Sequence, residues 1–214
     1  MRKLYIDFET RSAADIKAVG AHKYVADPTT EIICLGYAFD SAPVSVVAWD
    51  KVPEEVKSHV ANGGTVVAHN IEFDALIWNK FLGRMSVGQQ RCTMAKCRMA
   101  AIPASLEKAG AFLNLAYKKA STGKVLIGKL GRAVSTDPLT WYENETALAG
   151  LYAYCAQDVE VCRAIDLAVP DLPEAEQEVW ELDQTINARG ICVDRGFVEK
   201  AYVAATTAVE RLSA

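Results

Sequence analysis

Two carboxylates separated by a single residue lie near the N-terminus, in Asp7-Phe8-Glu9. On an extended strand, side chains alternate, so Asp7 and Glu9 project from one face about 7 Å apart along the chain while Phe8 turns the other way into packing. Two carboxylates held together repel, and a divalent cation relieves that repulsion. A third carboxylate stands in His69-Asn70-Ile71-Glu72-Phe73-Asp74, directly after a Val-rich strand-like run. There Asp74 falls in the first turn of a helix and can point back toward the first strand, and Asn70 offers an amide at the strand–helix junction. A fourth lies in Tyr154-Cys155-Ala156-Gln157-Asp158. Spacing of four puts Tyr154 and Asp158 on one helix face, one turn apart, with Tyr152 turned toward the core.

Other patterns carry less. Gly123-Lys124-Val125-Leu126-Ile127-Gly128-Lys129 fits a phosphate-loop spacing, but Leu130 stands where Mg²⁺ binding needs Ser or Thr, and the stretch reads as a basic loop. The six cysteines form no C-x-x-C pair and no Cys/His cluster, so buried, reduced thiols are expected. No apolar run approaches the roughly 20 residues of a membrane helix. Met1-Arg2-Lys3 leads straight into a strand rather than a signal peptide, which sets the expectation of a cytoplasmic protein (host cytoplasm if phage-encoded).

The net charge of −4 conceals a split. From Lys80 to Arg132 there are eleven Lys or Arg against one acid, Glu107, while the rest of the chain holds 12 basic and 26 acidic residues. A basic face that meets a polyanion is the expectation.

The elements that must position these residues follow from period and punctuation. Lys3–Phe8, Glu31–Phe39, Val44–Trp49 and Thr65–Ala68 read as strands. A short helix opens at Pro53-Glu54-Glu55, and a longer one runs over Ile71–Phe81 with Phe73, Leu76, Ile77 and Trp78 at helical spacing. Thr93–Leu115 is helical with a break at Pro103, Gly123–Pro138 reads as a loop, and Glu145–Leu167 as a long helix ended by Pro170. Strands followed mostly by helices make an α/β mixed sheet flanked by helices. After Pro173 an acidic helix to Arg189, a turn at Gly190–Asp194 and a helix over Phe197–Leu212 form a helical C-terminal appendage. The expected division is residues 1–170 as one domain and 171–214 as a helical linker.

Order, spacing and context together resemble the DEDD 3′→5′ exonucleases, in the subclass with tyrosine in the third motif, over about residues 1–168. D-x-E stands on the first strand, N-x-x-F-D after a later strand, and Y-x-x-x-D on a late helix. The resemblance implies a ribonuclease-H-like fold and release of 5′-mononucleotides from a single-stranded DNA 3′ end with two Mg²⁺ or Mn²⁺ ions. It implies that Asp7, Glu9 and Asp158 hold the first ion, that Asp7 bridges to the second with Asp74 in support, and that Tyr154 orients the attacking water. Phe8, Thr10, Asn70 and Phe73 are expected to meet the substrate, His69 is either another such contact or a structural histidine, and the basic segment adds Lys118 and Lys119 as contacts to DNA. In related proofreading domains a bulky apolar residue soon after the first motif wedges against the terminal base; here that stretch is Ser12-Ala13-Ala14.

Glu181–Asp194 is similar to the segment joining proofreading and polymerase domains in phage-type family A DNA polymerases, and nothing after Asp194 resembles polymerase catalytic motifs. A family A polymerase, in the same chain or separate, is therefore the expected partner. The competing expectations are an exoribonuclease of the same fold and a silent nucleic-acid-binding polymerase accessory.

Overall fold

The computed structural model describes residues 2–115 and 122–213. Five strands form one sheet in the order β3-β2-β1-β4-β5: β1 (Lys3–Arg11), β2 (Glu31–Phe39), β3 (Ser45–Ala48), β4 (Thr65–Ala68) and β5 (Gln90–Cys92). The pairs β3–β2 and β2–β1 are antiparallel, and β1–β4 and β4–β5 are parallel. The sheet is thus mixed, as expected, with β1 at its centre. Four strands stand close to where periodicity puts them. The fifth, β5, was not expected: three residues, Gln-Arg-Cys, are too few to show a period, and they become a strand by pairing with β4.

Alternation along β1 separates two layers. Leu4, Ile6 and Phe8 enter the larger core, with Val56 and Val60 of α3 (Glu54–Ala61) and Ile71, Ile77 and Trp78 of α4 (Ile71–Phe81). Between β1 and β2 lie two short helices, α1 (Ile16–Val19) and α2 (Ala21–Ala26). Tyr5 faces the opposite way, into a cluster with Ala38, Val67, Val159 and Cys162. After β5 come α5 (Thr93–Met99), α6 (Leu106–Phe112) and α7 (Thr122–Leu130). A hairpin, β6 (Ala133–Thr136) with β7 (Leu139–Trp141), then leads to the long α8 (Glu145–Ala168). The expectation of a loop over Gly123–Pro138 is therefore corrected. Leu126 and Leu130 supply an apolar side four residues apart, and α8 gives that side something to pack on, which outweighs the helix cost of two glycines.

Helix α8 begins at Asn144, whose side chain accepts a 2.8 Å hydrogen bond from the Ala147 N–H. Its 24 residues bury Leu151, Tyr154, Cys155, Asp158, Val159, Cys162, Ile165 and Asp166, a stripe at three- and four-residue spacing. It lies close to the sheet. A Cβ on Gly36, the β2 residue opposite Asp7, would come within 2.8 Å of Cys155 Sγ and 3.0 Å of Val159 Cγ2. Only a residue without a side chain admits the helix at that depth.

The far end of α8 is pinned by charge. Asp166, its side chain fully buried, accepts from Lys3 Nζ at 2.8 Å, Lys96 Nζ at 2.7 Å and Tyr5 Oη at 2.9 Å. Burial opposes ionisation of this carboxyl, yet the hydrogen bonds from Lys3 and Lys96 hold it below its ordinary pKa. Lys96 also bonds Asp171, beyond the end of the helix.

The described chain divides into two compact units, Met1–Glu181 and Leu182–Ala214. The first includes the start of α9 (Glu174–Arg189), where Gln177 donates to Gln90 O and Glu181 lies 3.8 Å from Arg91. The second contains α10 (Arg195–Ser213), capped by Asp194, whose carboxylate accepts from the Phe197 N–H at 3.0 Å. No helix among the described residues is long and apolar enough to cross a membrane. The cysteines are free thiols; five are buried, and Cys192, contrary to expectation, is exposed.

Removing the Asp166 carboxylate leaves the buried Lys96 ammonium without its principal counter-charge. Asp166→Ala is expected to cost about 3–5 kcal/mol, read as a lower urea midpoint at unchanged m-value. A loss under about 1 kcal/mol would show that the cluster does not hold α8.

Candidate active site

The site forms where β1 outruns its parallel neighbour. Strand β4 stops at Ala68, whereas β1 continues to Arg11. Beyond the last β4 pairing, the Phe8 N–H would lack a ladder partner, and Asp74 Oδ1 accepts it at 3.2 Å. Asp74 reaches it from the first turn of α4. That helix starts sharply because Asn70 takes a left-handed conformation (φ 68°), one that asparagine tolerates better than most residues.

Asp7 and Glu9 share the β1 face that carries Tyr5, and that face looks onto α8. Tyr154 and Asp158 project toward it, one turn apart, and the Tyr154 hydroxyl donates to the Asp158 carboxylate. Cys155, between them, lies with its Sγ 3.4 Å from Asp7 O. Asp7, Glu9, Asp74, Tyr154 and Asp158 are thus brought together from three elements.

The electrostatics are those of crowded, poorly solvated acids. Burial raises the Asp7 carboxyl well above its ordinary pKa, and the charges of Glu9, Asp74 and Asp158 raise it further. Glu9 is pushed up to about 8 by burial and then by Asp158 and Asp74. Asp74 rises to about 7 through burial, against the lowering effect of the Phe8 N–H. Burial and the neighbouring Asp158 raise the Tyr154 phenol, so it is protonated across the neutral range. Four hard oxygen donors whose charges disfavour one another fit a divalent cation of the Mg²⁺ or Mn²⁺ kind. Among the described residues, no three His, Cys, Asp or Glu side chains already converge on one metal-sized point.

Beside Glu9 opens a cleft of about 520 Å³, lined by Thr10, Ile16, Tyr24, Phe73, Ile127 and Arg132 among others. Tyr24 and Phe73 stand with ring centroids 6.0 Å apart, and the Tyr24 hydroxyl shares a 2.9 Å hydrogen bond with Thr10. Thr10 and Phe73 were singled out from the sequence; Ile16, Tyr24, Ile127 and Arg132 were not. Ile127 and Arg132 sat in the stretch read as a loop; the signal for Ile127 was the apolar spacing of α7, and that for Arg132 its place in the basic run.

The remaining sequence candidates are placed as follows. Phe8 is buried, edge-on to Trp78 at 6.3 Å, and also borders the cleft. Asn70 is exposed at the head of α4. His69 bridges two segments, with Nδ1 2.9 Å from Thr93 Oγ1 and Nε2 2.8 Å from Ala104 O. A carbonyl can only accept, so Nε2 carries the proton and Nδ1 accepts from the threonine; burial, which lowers the pKa, keeps the ring neutral. Lys118 and Lys119 lie outside the described residues. The basic run is not one face. Lys96 is buried against Asp166, Lys80 bonds Val25 O and Asp27 O, and Arg91 bonds Gly88 O and Gln90 O.

Comparison with known proteins bears on this geometry. No family model matches the chain. It is 31% identical over 222 residues to the DNA polymerase of Bacillus phage SP02, an alignment covering 94% of this chain and 33% of that protein, so the chain spans about a third of its relative. Among solved structures, NrnC of Brucella melitensis superposes with a TM-score of 0.50 at 17% identity, covering 86% of this chain and 76% of that one. NrnC with bound Mg²⁺ also gives 0.50, at 14% identity, covering 88% and 86%. The fold is ribonuclease-H-like.

The raised carboxyls make stability depend on pH. Glu9 and Asp74 bind protons more tightly folded than unfolded, where their values are 4.5 and 3.8. Their contribution is present below about pH 4 and is lost as pH rises to about 8. In chelator, the melting midpoint is therefore expected to fall between pH 5 and 8, and Glu9→Gln to flatten the fall. A slope unchanged by Glu9→Gln would contradict the assignment.

Proposed function

We propose that the chain is a metal-dependent 3′→5′ exonuclease domain that removes 5′-mononucleotides from single-stranded DNA, as the proofreading part of a phage-type DNA polymerase. One observation carries the reading: four carboxylates from β1, α4 and α8 are gathered, with Asp74 and Asp158 raising the pKa of Asp7 and Glu9, beside a cleft with aromatic walls. That arrangement costs stability unless a cation shares it, and divalent cations can catalyse phosphodiester hydrolysis by stabilising the charge on its oxygens. The relative that is a phage DNA polymerase supports DNA as the substrate, and the Mg²⁺ bound to NrnC supports the metal class.

In this reading Asp7, Glu9 and Asp158 would hold one cation, and Asp7 and Asp74 would serve a second; such ions would supply Lewis acidity for the charge that develops on the reacting oxygens. The chain's own residues do the rest. Tyr154, held protonated with its one hydrogen given to Asp158, orients the attacking water by accepting from it at the phenol oxygen, and does not remove its proton. Asp74, tied to the Phe8 N–H, keeps its carboxylate aimed across the end of β4. Phe73, Tyr24 and Thr10 offer the cleft walls on which the terminal nucleotide rests, and Phe8, His69 and Asn70 shape the floor and the strand–helix junction. Lys118 and Lys119 are assigned phosphate contacts.

With 5′-labelled single strands and Mg²⁺ or Mn²⁺, a ladder of products shortened from the 3′ end is expected. Asp7→Ala should lower the rate at least about 10²–10³-fold, the scale of losing a principal electrostatic stabiliser. DNA should be cut faster than RNA of the same sequence; the reverse order makes the domain an exoribonuclease. Binding of single strands without product under either metal would exclude the enzyme reading and leave a silent accessory.

A further inference from the structure

The glycine-rich, lysine-bearing stretch set aside as a failed phosphate loop has another use. It forms α7, which runs antiparallel to α8: Gly123 meets Tyr154, and one turn further along α7, Leu126 meets Gly150. Leu126 and Ile127 pack with Leu130, Leu151 and Tyr154. At its C-terminal end α7 is stitched to the chain leaving β1, where the Ser12 N–H donates to Gly131 O at 3.1 Å and Ser12 and Arg132 form a parallel bridge. The helix thus spans from the strand bearing Asp7 and Glu9 to the tyrosine on α8.

The contact at its head is the closest. A Cβ on Gly123 would stand 2.2 Å from Tyr154 Cδ2, 2.3 Å from Cε2 and 3.0 Å from Cγ, where carbon atoms rest at about 3.5–4.0 Å. The backbone of α7 therefore lies on the tyrosine ring as a wall. The hydroxyl is fixed at the other end by Asp158. A ring backed by main chain and tethered at its oxygen has one orientation.

Resting on the exonuclease reading, we propose that Gly123 is a positioning residue for Tyr154, and that α7 sets the angle at which the phenol meets the attacking water. Gly123 touches no reacting atom. Its substitution acts only through the ring, by displacing it or by lifting α7 away from it.

The test is a double-mutant cycle on the full chain: wild type, Gly123→Ala, Tyr154→Phe and both, with melting midpoints as a check on folding. Gly123→Ala should lower kcat by about 10²-fold, the scale of a 1 Å misplacement, with KM for the strand within about twofold. In the Tyr154→Phe background it should add almost nothing. A purely structural role would instead lower the two backgrounds equally. Equal effects, or a Gly123→Ala enzyme at wild-type rate, overturn the proposal. An inactive wild type overturns the exonuclease reading and this inference with it. Independently of activity, nuclear Overhauser contacts between the Gly123 Hα protons and the Tyr154 ring are expected in the wild-type chain, and their absence also overturns it.

Discussion

The geometry of the site depends on one match of lengths, that between β1 and α8. Two residues along a strand advance about 6.7 Å, and four along a helix advance 6.0 Å. The two elements run antiparallel, so Lys3, Tyr5, Asp7 and Glu9 meet Asp166, Cys162, Asp158 and Tyr154 in order, with little drift over three steps. At one end of the stripe, lysines neutralise the helix carboxylate, Asp166. At the other, the helix carboxylate Asp158 raises the pKa of the strand carboxylates Asp7 and Glu9. The first end fixes the register, and the second is where that register brings acids together.

The remaining elements can be understood by what they add to this pair. Gly36 lets α8 descend onto the sheet beside Asp7. The early stop of β4 frees the Phe8 N–H, and α4 supplies Asp74 to take it, which delivers a third carboxylate at the cost of a single ladder bond. Helix α7 closes the side on which Tyr154 lies. Packing against α3 and α4 on the far face holds β1 in place through Leu4, Ile6 and Phe8.

Much of this was legible in the sequence because it rests on period. The two-residue alternation of Asp7-Phe8-Glu9, the four-residue step from Tyr154 to Asp158 and the apolar stripe of Ile71–Phe81 each act within one element, and each element lies where its pattern put it. What escaped depends on partners distant in sequence. Strand β5 exists through β4, and α7 through α8. Gly123 reads as loop chemistry, yet it is small because a ring lies against it. The basic run looked like one surface, but Lys96 is internal, spent on Asp166. His69, next to a motif residue, was an attractive substrate contact by proximity; its ring nitrogens face Thr93 and Ala104.

The central claim is that the acidic end of the β1–α8 stripe takes divalent cations. Crystals soaked in Mn²⁺ and measured at the manganese edge test it directly. The account predicts anomalous density in contact with the carboxylates of Asp7, Glu9 and Asp158, lost in crystals of Asp7→Asn. Density elsewhere only, or none under millimolar Mn²⁺, would contradict it.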